Sequence, residues 1–79
     1  STVEDYLLST QIETNIHRLI MALPDNQREV LQMPYFKEMR FKEIASMTNV
    51  SINTALGRMR YAILNMRKMA EDNHMTLSL

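Results

Sequence analysis

Four cations and no acid lie between Ser51 and Ala70: Arg58, Arg60, Arg67 and Lys68. Guanidinium and ammonium groups on an acid-free stretch suit phosphates and base edges, and a local basic segment is what meets nucleic acid. Little other reactive chemistry is available. The chain has no Cys, which removes thiol nucleophiles, disulfides and zinc-thiolate sites together. His17 and His74 are too distant in sequence to form a local metal pair, and Glu43 and Glu71 have no acid partner at catalytic spacing. No Gly-rich phosphate loop is present. The residues point to a binding protein, not an enzyme, with no cofactor and no metal.

Charge over the whole chain hides this segment. Nine basic and nine acidic residues give a formal charge of zero, which taken alone argues against a polyanionic partner. Residues 1–35 carry Glu4, Asp5, Glu13, Asp25 and Glu29 against Arg18 and Arg28, a net of −3. Residues 36–79 carry Lys37, Arg40, Lys42, Arg58, Arg60, Arg67 and Lys68 against Glu38, Glu43, Glu71 and Asp72, a net of +3. An acidic half is thus followed by a basic one.

The elements that position the cations are helical. A 79-residue chain is one domain and needs economical, local packing. A single Gly and two Pro leave too little turn chemistry for a many-stranded sheet. No apolar run approaches a membrane span and no signal-peptide pattern opens the chain, so a soluble protein is expected. The start at Ser1 rather than Met is expected of a piece excised from a longer protein.

Leu8, Ile12, Ile16, Leu19, Ile20 and Leu23 recur at helical steps. They predict a first helix over 3–22, capped by Thr2 and ended by Pro24, which biases Leu23 away from the α region. Asp25 is expected to cap a second helix over 25–34 that kinks or stops at Pro34. Residues 37–40 read as a charged connector. Phe41, Ile44, Ala45 and Met47 predict a short third helix over 41–47. Thr48, Asn49, Val50 and Ser51 then form a tight turn, with Asn49 suited to a left-handed backbone and Ser51 to an N-cap. A fourth helix over 51–71 carries Ile52, Ala55, Met59, Ala62, Ile63, Met66 and Met69 as its apolar stripe, with Gly57 as a tolerated interior residue. The tail, 74–79, has no pattern and is expected to fray.

A short helix, a four-residue turn and a longer basic helix make the helix-turn-helix pattern. Ala45 suits the helix crossing, while Val50 and Ala55 fill the angle between the two helices. The outward positions of the last helix are Asn53, Thr54, Leu56, Gly57, Arg58, Arg60, Tyr61, Asn65 and Arg67, and the earliest of them lie at the end that enters a major groove. The competing reading is a plain helical bundle with a solvated basic face. The Met residues read as flexible core filler.

The string LPDNQREVL from Leu23 to Leu31, followed by Tyr35-Phe36, FKEIASMTNVS and SINTALGRMRYA, resembles region 4 of the bacterial sigma-70 family, most closely its extracytoplasmic-function type. The resemblance covers residues 12–70 in one collinear block. It implies an all-α, four-helix domain with the helix-turn-helix in its last two helices. It further implies recognition of the minus-35 promoter element, docking on the β flap of core RNA polymerase, frequent masking by an anti-sigma factor, and a bacterial, cytoplasmic setting. Carried over by position, the DNA-reading residues fall on Leu56, Gly57, Arg60 and Tyr61, with Ser51, Asn53 and Thr54 at the helix start. Arg58 joins the same helix, and Phe41 and Lys42 match positions where the third helix meets phosphates.

The departures carry their own expectations. Many relatives place Lys or Arg and then Ser where this chain has Leu56 and Gly57, which removes the bidentate reader of guanine. Leu56 instead suits a thymine methyl, and Gly57 suits close backbone approach. Pro34 stands where relatives commonly carry a phosphate-supporting Arg, so weak affinity is expected of the isolated domain. Two alternatives stay open: a dimeric response-regulator type output domain, against the monomer implied here, and a helical module whose basic face binds an acidic protein.

Overall fold

A computed structural model describes residues 1–37 and 39–77, with side chains described at all of these except 34–37. Among them are four α-helices and no strand: α1 (Thr2–Ala22), α2 (Asp25–Lys37), α3 (Phe41–Thr48) and α4 (Ile52–Asp72). The all-α architecture expected from the sequence is the one found.

Helix α1 is capped by Ser1, not Thr2. The Ser1 hydroxyl accepts from the Glu4 amide at 3.3 Å in a capping box, and Thr2 is already helical. The pre-proline residue Leu23 leaves the helix at φ −70° and ψ 152°, as Pro24 demands, and buries its side chain. The Pro24 carbonyl, rather than the Asp25 side chain, opens α2 by accepting from the amides of Gln27 (3.0 Å) and Arg28 (2.9 Å). Asp25 is a first-turn residue paired with Arg28. The Arg28 guanidinium also donates to the Met21 carbonyl at 3.2 Å, so it fastens the exposed end of α1 to the start of α2.

Helix α2 does not stop at Pro34 but runs to Lys37. A proline withdraws one amide from the ladder. Here the lost rung falls within the last turns of a helix already anchored by Val30, which is fully buried, and by Met33, which packs on the core. Lys37 therefore closes α2 instead of starting the connector, and Glu38 lies outside the described residues.

The core centres on Val30 of α2, Ile44 and Ala45 of α3 and Ala55 of α4, with Met33, Met39, Phe41, Val50 and Met59 around them. Helix α4 packs on both α2 and α3, and α1 lies against α2 and α4. The buried seam of α4 is narrower than expected. Ala55, Ala62 and Ala70 are its buried residues, while Ile52 and Ile63 are 46% and 39% exposed. Steps of seven and eight keep the three alanines within about 80° of one another around the helix, and their small side chains admit the other helices. Ile52 shares the azimuth of the buried Ala70, about 60° from Ala55, and Ile63 lies about 80° away, so position along the helix as well as rotation decides which residues are covered.

Helix α1 is likewise only partly covered. Ile12, Leu19, Ile20 and Leu23 are buried, whereas Leu8 is 41% exposed and Val3, Tyr6 and Leu7 more so. A Cα radius of gyration of 14.1 Å exceeds the ~11.6 Å of a compact domain of this length, because the first turns of α1 project past the other helices.

The chain after α4 is not frayed through residue 77. His74 takes a left-handed φ of 52°, the Met75 amide donates to the Ala70 carbonyl at 2.8 Å, and the strand of chain that follows turns back onto α1. There the Asn15 amide donates to the Thr76 carbonyl at 3.0 Å while its Oδ1 accepts from Gln11 at 2.9 Å. Asn15 is the buried polar side chain among the described residues, and these two bonds satisfy it. Leu77 joins Ile16, Ile20, Leu31, Ile63 and Met66 around an apolar recess of about 270 Å³. The tail positions 78 and 79 lie outside the described residues.

Candidate nucleic-acid interface

The junction of α3 and α4 is built by local chemistry. The Thr48 hydroxyl donates to the Ile44 carbonyl at 2.7 Å, tightening the last turn of α3. Asn49 then adopts φ 58° and ψ 44°, the left-handed conformation that Asn tolerates better than most side chains. The Val50 amide closes back on the Ala45 carbonyl at 3.0 Å. Ser51 restarts the helix: its hydroxyl accepts from the Thr54 amide at 3.1 Å and donates to the Thr54 hydroxyl at 2.9 Å. Ala45 and Ala55 are both buried at the crossing, with Val50 packed against them.

With Ala55 and Ala62 facing inward, helical rotation of about 100° per residue sorts the candidate residues. Asn53, Gly57 and Arg60 fall on the outermost line of α4. Leu56 lies on one shoulder beside the exposed Ile52, and Thr54 and Tyr61 lie on the other. Ser51, Asn53, Thr54, Leu56, Arg60 and Tyr61 are all exposed. Arg58 is half-buried, as is Asn65, whose amide donates to Gln27 of α2 at 2.7 Å. Asn65 thus belongs to the packing of α4 on α2 rather than to the free face. A Cβ built on Gly57 meets nothing within 4 Å, so this glycine is not required by internal packing.

On α3 the two candidates separate. Lys42 is exposed, whereas Phe41 packs on the core cluster, which leaves its backbone amide rather than its ring for a ligand. The Arg40 side chain makes no capping bond, and the first intrahelical bond runs from Ile44 to the Arg40 carbonyl at 3.0 Å. Among the described residues no side chain caps the amides of residues 41–43, which form a positive helix end beside Lys42.

Ile52 and Leu64 were not among the expected interface residues, yet both are prominent on the outer surface of α4, at 46% and 50% exposure. Ile52 fits an apolar helical stripe as well as Ala55 does. Its place in the first turn of α4 and its exposure distinguish it.

These elements form a helix-turn-helix whose outer helix carries no acid before Glu71. The family described as Sigma-70, region 4 matches residues 13–60, more than half of the chain. The ECF RNA polymerase sigma factor SigW of Bacillus subtilis (strain 168) is 29% identical over 69 residues, which cover 87% of this chain and 37% of that protein. The chain belongs to the sigma-70 region 4 family. It spans well under half the length of the curated relative it matches.

Proposed function

We propose that this chain is the promoter-recognition domain of an alternative bacterial sigma factor. In this reading the N-terminal half of α4 enters the major groove of the minus-35 element, and the domain docks as a monomer on the β flap of core RNA polymerase in the cytoplasm. An anti-sigma factor is a further partner of the same surfaces. The observation that carries the reading is the exposed, acid-free start of α4, held at a fixed angle by the Asn49 turn and the Ser51 cap. The N-terminal amides of α3, uncapped among the described residues and with Lys42 beside them, suit a phosphate. Arg60 on the outermost line of α4 suits a base edge or an adjacent phosphate.

Lys42, Arg60, Arg67 and Lys68 are exposed cations on these two helices, and we assign the first three to phosphates. Three phosphate contacts give a slope of log affinity against log salt near −2.7. Fluorescence anisotropy of the domain on its promoter duplex is expected to show that slope, and Arg60→Ala to weaken binding and reduce the slope by about 0.9. In vitro transcription by the full-length parent with core polymerase is expected to protect an upstream element that deletion of this domain exposes. Salt-independent binding, or unchanged protection after deletion, would refute the proposal.

A further inference from the structure

We infer that the recognition helix reads thymine through its methyl group, with Leu56 as the specificity-determining contact. This inference rests on the proposed entry of α4 into the major groove. The first two turns of α4 expose Ile52, Asn53, Thr54 and Leu56, with Gly57 half-exposed beside them. None is Lys or Arg, the side chains that grip the two acceptors of guanine. Arg58, the earliest cation of the helix, is half-buried. What remains matches an A·T pair: an Asn amide pairs with the N6 and N7 positions of adenine, and an apolar side chain covers the methyl of thymine.

Leu56 is 42% exposed and Ile52, one turn earlier on the same shoulder, 46% exposed. A single exposed leucine is unremarkable. Two apolar side chains one turn apart, at the end of the helix that meets base edges, form a surface that water solvates poorly and a methyl-lined groove wall covers. Gly57 supports the same geometry, since the empty space beyond its Cα lets the duplex approach until Leu56 touches the base. The arginine partner at i+4, Arg60, is exposed on the adjoining line and supplies the electrostatic hold that an apolar contact lacks.

The test starts from a selection of randomised duplexes by the 79-residue domain, followed by replacement of each thymine of the enriched site with uracil. That exchange removes the methyl alone. The wild-type domain is expected to lose about fourfold in affinity at one thymine position, the worth of one buried methyl. Leu56→Ala is expected to bind the thymine and uracil duplexes equally, with an unchanged helical circular dichroism spectrum because the side chain is exposed. Leu56→Met, which keeps apolar reach, is expected to retain the preference. An enriched site fixed only at G·C pairs, equal wild-type binding of the two duplexes, or full discrimination by Leu56→Ala would each overturn the inference while leaving groove entry intact. Absence of salt-dependent duplex binding would overturn the promoter reading as well.

Discussion

Replacing Gly57 with alanine separates the folding role of α4 from its binding role, because the two are expected to move in opposite directions. Gly57 is interior to a 21-residue helix, where glycine is about 0.8–1.0 kcal/mol less favourable than alanine. The added methyl meets nothing within 4 Å, so neither a clash nor new burial alters that figure. Gly57→Ala is therefore expected to stabilise the domain by about 1 kcal/mol, raising its melting temperature by roughly 4–8 °C for a domain of this size. The same methyl stands on the outermost line of the recognition helix, between Asn53 and Arg60. A backbone held against base edges has no room for it, and duplex affinity is expected to fall by roughly tenfold, about 1.4 kcal/mol. Thermal unfolding followed by circular dichroism and anisotropy at fixed salt measure the two effects on one sample. A variant that is no more stable would contradict the open environment of Gly57. One that is stabilised and binds the duplex as well as the wild type would show that DNA does not approach this backbone, and the placement of the groove on α4 would be wrong.

Two further substitutions probe how the interface is held. Asn15→Ala removes the donor to the Thr76 carbonyl and is expected to cost about 1–2 kcal/mol; hydrogen exchange at the Met75 amide should accelerate more than exchange in α2 or α3, and uniform acceleration would argue against a local latch. Ser51→Ala removes the acceptor for the Thr54 amide and is expected to cost about 1 kcal/mol; denaturant unfolding measures it, and a change under ~0.3 kcal/mol would show that the cap contributes nothing.

The helices were legible because their signals are local. Pro24 ends α1 through the conformation of Leu23, Asn49 accepts a left-handed backbone, and Ser51 caps α4 whatever the tertiary structure. What the sequence concealed depends on partners distant along the chain. Leu8 and Ile52 share the period of buried residues yet are exposed, and periodicity carries no information on where a neighbouring helix ends. Asn15 is indistinguishable in sequence from a solvated residue until Thr76, 61 positions later, meets it. Arg28 reads as a surface charge beside Glu29, yet its reach to the Met21 carbonyl crosses a corner. In the interface the outward line of α4 followed from helical rotation, whereas the inward turn of Arg58 and the packing of Phe41 did not.

The neutral total charge follows from the same division of labour. On the proposed function, a domain that contacts three phosphates loses only about 40-fold in affinity between 50 and 200 mM salt, against roughly a thousandfold or more for proteins contacting six to ten phosphates. The smaller sequence-independent term lowers the affinity for every duplex, including wrong ones. Contacts to base edges then make up a larger share of what binding energy there is, and a methyl contact of fourfold weight becomes a useful fraction of the discrimination. On the proposed function, such a module binds a promoter too weakly to hold it unaided. In the proposed role, tethered to a polymerase that makes other contacts, it acts at high effective concentration, so weak phosphate binding does not limit occupancy, and the net negative charge of α1, with Glu4, Asp5 and Glu13 against Arg18, disfavours DNA on that helix. Adding cations to the exposed face of α1, outside the outward line of α4, would on this reasoning raise affinity for all duplexes while eroding the preference for the cognate one.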